Sequence, residues 1–595
     1  MSVTQARSTL ALLVKTALYH WRAAAAASLV VLLLLMLACG AAATATPAAR
    51  PTLAPAPSSG NQSTPTAMPK ATPAPAAPVV NPGKVTWMIQ GWGNERFTYN
   101  YAVGGGNNFA RFMQGFLVAT NEKTQLLPGI ASKWEISPDA KTWTFTIREG
   151  GSFHNGKKIT GQDVWWSFMH YWGKDESGSA VERVTQSSAQ ALARVVETIT
   201  QPQPNQVSIT LKQANAGFPA AYVSEAAANW YGIIPSRPKV HDSVQEEAYD
   251  KDPVSSGPFD LVKHTPAEVM AFQRFEDYYY QPKYGLPEDR RPKFQSLDLR
   301  VVPEEATRVA AIRSGEADVA PASLATRKQV EAGGGRLVFG PEGIYFRIML
   351  LGCYKPANPC YKKEVRQALD YAINKQTIRD QLYGGPEVMQ VKGWAHITPS
   401  TIGYAPDLDP WPQDTNKARQ LLAQAGYPNG QGFGKLIVNT WVSTAMPFLP
   451  ESAQVAADFW RKELGLDVEV KVGDEAALKR DTLTTALHGQ ILWRDNEASL
   501  DKSSLYLSSY GSPTHGARMH ENPEFFDMVS KTLAVTDPIK RDAAFHELNK
   551  RGRDESYELG IGYVNIPWAV GPRVTQWQPY PLAFFPSNVH SITLK

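Results

Sequence analysis

The chain has 595 residues and a formal charge of +4, too long for one core and so expected to divide into two or three domains. Its first 38 residues contain Arg7, Lys15 and Arg22 and no acid, which leaves the remainder at +1. A near-neutral body without long runs of like charge argues against a nucleic-acid partner, which needs a basic field.

Lys15 and Arg22 precede the apolar run 23–38, which ends in Met36-Leu37-Ala38-Cys39-Gly40. The run is short for a spanning helix and suits the apolar region of an export signal over 1–38. The small residue before Cys39 resembles the lipid-attachment box of bacterial lipoproteins, although Met36 and Leu37 depart from its commonest residues. An uncleaved membrane anchor is the alternative. Residues 39–84 are rich in Ala, Pro and Thr. They cannot bury enough apolar surface to offset their ordering entropy, so they read as a tether.

Residues 84–90 read as the first strand. Gly104-Gly105-Gly106 then loops into Asn107-Asn108, but no Lys-Ser/Thr follows, so the phosphate-binding P-loop pattern is absent. A helix is expected over 109–118. From Leu127 to Phe168 the chain reads strand, turn, strand, turn, helix. Trp143, Phe145 and Ile147 sit at period two, and Pro138-Asp139-Ala140-Lys141 is a turn. Thr160 and Asp163 are spaced as a capping box before a helix carrying Val164 and Phe168. Further on, a helix is expected over 189–198, a strand over 206–211, a strand pair ending in Phe272 and Phe275, and a strand over 297–302. A helix over 304–314 ends at Gly315. Helical spacing recurs over 363–383, after the Asp414 cap, and over 451–464 and 525–535, with strands at 466–472 and 561–573. Strands alternating with helices predict an α/β fold.

The stretch from Leu127 also resembles the signature of family 5 extracellular solute-binding proteins, the peptide- and nickel-binding components of ABC importers. Pro128, Ala131, Trp134, Ser137, Asp139, Phe145, Arg148, Gly150, Phe153, His154, Gly156, Thr160, Asp163, Val164 and Ser167 carry the match, with Asn155 for the usual Asp and Ala140 for the usual Gly. Shorter resemblances follow at Ser256-Gly257-Pro258-Phe259, Gly315-Glu316-Ala317-Asp318, Val365–Ile373, Leu421–Tyr427 and Thr536-Asp537-Pro538. The resemblance implies a two-lobed, periplasmic-binding-protein-like fold with an interlobe cleft. It places an N-terminal lobe over 85–335, with an extra subdomain near 110–230, a second lobe over 336–555, and a tail over 556–595 that completes the first lobe.

The function it implies is capture of a solute, foremost an oligopeptide, and delivery to an ABC permease, by a protein held outside the cytoplasm on the membrane. In peptide binders of the family, a second-lobe strand carries W-x-x-D, whose Asp pairs with the peptide amino terminus. Here Trp493 and Asp495 stand one residue apart instead of two. An oligosaccharide is the alternative ligand, because sugars stack on aromatic faces and the chain holds 16 Trp. Trp92, Trp230, Trp394 and Trp493, beside expected loops, together with Asn108 of the glycine-rich loop, are the remaining candidate contacts.

Cys353 and Cys360 are close in sequence, and outside the cytoplasm such a pair is expected to form a disulfide, the alternative being two buried thiols. No G-x-S-x-G, H-E-x-x-H or Walker sequence is present, so no enzyme constellation is expected and no cofactor is called for. His515 and His520, five apart, are too loosely spaced to specify nickel or haem. A sensory receptor that transports nothing remains a competing class.

Overall fold

The computed structural model describes residues 83–92, 95, 97, 109–181, 187–226, 232, 233, 235, 236, 243–443, 445–482, 484–510, 519–583 and 587–595; the expected signal, Cys39, the tether, Asn108, Trp230 and His515 lie outside them.

The stretch from Leu127 folds as its pattern predicts. Strand Ala131–Ile136 pairs antiparallel with Thr142–Ile147, which buries Trp143, Phe145 and Ile147 on one face. Between them Asp139 accepts the Lys141 amide at 3.1 Å, and Ala140 takes a left-handed φ of 55°. A Cβ there costs about 1–2 kcal/mol, which explains why the family signature has Gly at this point. Thr160 and Asp163 reciprocally cap helix Gly161–Trp172. The helix packs on a four-stranded sheet ordered Ala131–Ile136, Thr142–Ile147, Gln206–Leu211, Val196–Gln203.

Three expected helices differ. The one over 109–118 is only Ala110–Met113, and the chain then enters strand Val118–Thr120. A side chain on Gly115 would collide with Ser256 and Tyr279, so backbone proximity ends the helix and the apolar run is spent on strand pairing instead. The helix over 189–198 is Ser187–Val195, because Val196, Thr198 and Ile199 join a strand that pairs with Gln206–Leu211. The helical pattern over 363–383 is two helices, Lys363–Ala372 and Lys375–Leu382, with Asn374 capping the second through the Thr377 amide at 3.0 Å.

A single large sheet runs through both lobes. Its main order is Asp467–Val472, Lys435–Thr440, Ile491–Glu497, Arg336–Leu350, Tyr563–Val570, Val319–Pro321, Lys84–Ile89, Ser296–Val301, Val269–Arg274, Phe259–Thr265. The 15-residue strand Arg336–Leu350 links the halves. Its first residues, Arg336–Gly340, pair with Tyr563–Val570, and its last, Ile344–Leu350, pair with Ile491–Glu497. Register shifts between Gly340 and Ile344, where Glu342 adopts a φ of 57°. Its carboxylate accepts the Ser400 amide at 2.7 Å and hydroxyl at 2.9 Å, while its own amide donates to Asn565 at 3.0 Å. This strained position, tied down on three sides, is a bulge in the pairing, which resumes with Ile344 opposite Val564 and Tyr345 opposite Tyr563.

The second lobe is held partly by buried ion pairs. Arg347 Nε lies 3.2 Å from Glu558 Oε1, and its guanidinium donates to Ser509 at 2.6 Å, while Tyr510 donates to Glu558 at 2.7 Å. Burial opposes ionisation of Glu558, but Arg347 and its other neighbours outweigh it and bring the carboxyl down to about 2. His396, fully buried beside them, is lowered to about 4, chiefly by burial. Cys353 and Cys360 are joined in a disulfide.

Candidate functional site

A cavity of about 920 Å³ opens where the two lobes meet. Three strands point their carboxyl ends at it: Lys84–Ile89 leads into Gln90–Trp92, Lys435–Thr440 leads toward Ser443, and Ile491–Glu497 ends on it. Lys84–Ile89 pairs in parallel with Ser296–Val301, and Lys435–Thr440 in parallel with Asp467–Val472 and with Ile491 and Leu492. Crevices outside the carboxyl ends of parallel strands are where open α/β sheets take ligands. The volume lies within the range that encloses most of a drug-sized molecule.

Aromatic side chains line much of the wall. Trp92 sets its edge against Phe109 at 5.9 Å. Across from them, Phe448 meets Tyr383 edge-on at 5.8 Å, and Tyr383 donates to Pro447 at 2.5 Å. Phe448 is 47 % exposed and has a φ of 62° at the start of helix Leu449–Leu464. An exposed large ring held in a conformation that L residues avoid fits a ligand-facing position better than a core one. Trp568, from strand Tyr563–Val570, completes the set.

The charged wall comes from one strand end. In Ile491–Glu497 the first three residues are buried and the next four open onto the cavity. Alternation puts Asp495 and Glu497 on one face and Arg494 and Asn496 on the other. The Asp495 carboxylate accepts from Ser443 Oγ at 2.8 Å, and among the described residues it has no ion-pair partner. Arg494 is spent on its own strand: it donates to the Asp495 carbonyl at 3.1 Å and to Asn496 at 3.0 Å, and lies 5.4 Å over Trp441. Burial, and then Arg347, lower its pKa. Burial raises the Glu497 carboxyl, with Arg111 opposing. Tyr383 is raised well above its usual value by burial and then by the Asp495 charge.

Of the candidate contacts, Asp495 and Trp92 line the cavity. Trp493 does not. It is 0 % exposed, donates to Ser452 Oγ at 2.9 Å, and packs between Phe346 and Trp460 at 6.3 and 6.4 Å. The strand emerges from the core only after it. Trp394 is also core: its indole donates to the Glu558 carbonyl at 3.1 Å and covers Gly552. Asn108 and Trp230 fall outside the described residues. Sequence reasoning missed Tyr383, Phe448, Trp568 and Lys502. Lys502 alone left a signal, a lysine set among Leu500, Leu505, Tyr506 and Leu507.

The model of bacterial extracellular solute-binding proteins, family 5, matches residues 125–517, well over half of the chain. The chain belongs to this family. Heme-binding protein A of Haemophilus influenzae is 25 % identical over 485 residues, covering 78 % of this chain and 83 % of that protein. The glutathione-binding protein GsiB of Salmonella paratyphi A is 30 % identical over 463 residues, covering 73 % and 80 %. Among solved structures, the ABC transporter-associated periplasmic binding protein DppA of Helicobacter pylori, in complex with the peptide STSA, superposes with a TM-score of 0.67 at 20 % identity, covering 86 % of this chain and 98 % of that one.

The family 5 protein is therefore an α/β, two-lobed solute-binding component of an ABC importer, working outside the cytoplasm, and not an enzyme. His154 of the signature serves the fold: its ring nitrogens lie 3.1 Å from the Gly257 carbonyl and 3.1 Å from Asp260. Among the described residues no group of three or more His, Cys, Asp or Glu is arranged to hold a metal, and no helix is long and apolar enough to cross a membrane.

Proposed function

We propose that the cleft captures a short peptide, with Asp495 receiving its amino terminus, and hands it to the permease. The observation that carries this is the Asp495 carboxylate, set on the cavity wall and oriented by Ser443 but with no cation among the described residues paired to it. A half-buried carboxylate without a counter-charge is a ready site for a cation, and an ammonium group is the cation a peptide brings. The aromatic wall then takes side chains, and lobe closure about Arg336–Leu350 follows because ligand touching both lobes binds the closed state better.

Asp495→Asn tests it. Titrated with the solute that co-purifies with the protein, this variant should lose at least about a hundredfold in affinity, roughly 3 kcal/mol. A loss of about tenfold or less would remove the amino-terminus role.

The exposed face of Phe448, with Trp92 and Trp568, supports a second reading, an oligosaccharide stacked on aromatic rings. There Asp495 is one acceptor among several, and Phe448→Ala is the more damaging change. On the membrane side we take Cys39 as the lipid anchor. Cys39→Ser should move the protein from the membrane to the soluble fraction, and continued membrane retention would favour the uncleaved anchor.

A further inference from the structure

We propose that Lys502 forms the anion-binding end of the cleft, and that the solute carries a carboxylate which pairs with it. The inference rests on the peptide reading above and adds the second terminus: the ligand is zwitterionic, held by amine and carboxylate at once.

Lys502 is 3 % exposed and yet lines the cavity. Among the described residues its ammonium makes no hydrogen bond and no ion pair; it lies 4.5 Å over the Tyr345 ring. The acids around it are already engaged. Asp501, its chain neighbour, accepts Arg541 at 2.8 Å and the Ser503 amide at 2.8 Å. Glu558 accepts Arg347 and Tyr510. Glu497 remains, and it forms no contact with Lys502 within ion-pair range. A cation over an aromatic ring recovers about 0.5–2 kcal/mol, whereas burying an unpaired ammonium costs several. A purely structural Lys502 would be a net loss, so the residue makes sense as half of a pair.

The position fits. Register places Tyr345 opposite Asn496 and Arg347 opposite Arg494, so Tyr345, Arg347 and Arg494 share a face of the sheet. Lys502 sits over that face, while Asp495 and Glu497 occupy the other. The cavity thus has an acidic side and a basic side, divided by the end of one strand. A ligand with one cationic and one anionic end would satisfy both, and a neutral ligand would satisfy neither. Burial, helped by Arg347, also brings the Lys502 ammonium down to about 7. A carboxylate arriving there restores its charge as well as its partner.

Three matched pools of mixed di- to tetrapeptides decide the matter: free termini, amidated carboxyl termini, and acetylated amino termini. Each competes for the cleft, and retained peptide is quantified by mass spectrometry. Wild-type protein should favour free over amidated peptides by about tenfold or more, and free over acetylated ones as well. Lys502→Met, of similar volume, should lose the first preference and keep the second, while Lys502→Arg should keep both. An unchanged acid-over-amide preference in Lys502→Met would overturn the proposal. So would wild-type protein that rejects acetylated peptides but ignores amidation, an outcome that leaves the Asp495 reading standing. Binding of no pool, or indifference to acetylation, would instead defeat the Asp495 reading and this proposal with it.

Discussion

Arg347 and Lys502 are both buried cations of the second lobe, and they differ in what faces them. Arg347 has Glu558 at 3.2 Å and Ser509 at 2.6 Å. Lys502 has a tyrosine ring. The same contrast holds for acids: Asp501 is paired with Arg541 at 2.8 Å, whereas among the described residues Asp495 on the cavity wall has the Ser443 hydroxyl and no cation. Arg347 and Asp501 are paired within the fold. Asp495 and Lys502, on the cavity wall, have no ion-pair partner among the described residues. On the reading proposed above, the difference separates charges that hold the fold from charges that wait for a ligand, which type and burial alone do not.

Glu558→Gln leaves Arg347 buried without its counter-charge, and should destabilise the protein by about 3–5 kcal/mol, read by denaturant unfolding with and without solute. A loss below about 1 kcal/mol would mean that the Arg347 pair is no more structural than the cleft charges.

From the cleft side the sign reverses. Lys502→Met should stabilise the ligand-free protein, by on the order of 2 kcal/mol, because it removes a desolvated charge and leaves no partner orphaned. The pH dependence sharpens this. Arg347, Glu558, Asp501, Glu497, His396 and Tyr345 surround Lys502, and the folded ammonium lies near 7 against 10.5 for an ordinary lysine. Between those values the unfolded chain holds a proton that the folded chain lacks, so stability rises with pH across about 7 to 10.5, by at most about 1.4 kcal/mol per unit. The penalty is fully present below 7. Lys502→Met should flatten that rise, and an unchanged slope would assign it to other groups. The smallest effect belongs to Asp495→Asn, which should stabilise the ligand-free protein by about 0.5 kcal/mol or less, because the carboxylate is only half-buried and keeps the Ser443 hydrogen bond.

How far these features were legible in the sequence follows the same division. Period-two alternation at Trp143, Phe145 and Ile147 and the Thr160–Asp163 box specified their elements, because local chemistry decides them. Where a tertiary neighbour decides, pattern failed: Gly115 lies against Ser256 and Tyr279, and Val196 joins a strand partner more than ten residues on. The resemblance pointed to the strand that carries Asp495, which lines the cavity. Trp493 was misread because alternation gives the face of a residue but not how far along the strand the core extends. Tyr383 and Phe448 come from a helix end and a loop distant in sequence, and only the folded sheet brings them to one wall.

The central claim is that the open charges of the cleft are completed by the solute. Mass spectrometry of the small molecule that co-purifies with the native protein tests it most directly. The expected species bears both a basic amine and a carboxylate and fragments as a peptide. A neutral carbohydrate, without an ionisable group of either sign, would contradict it.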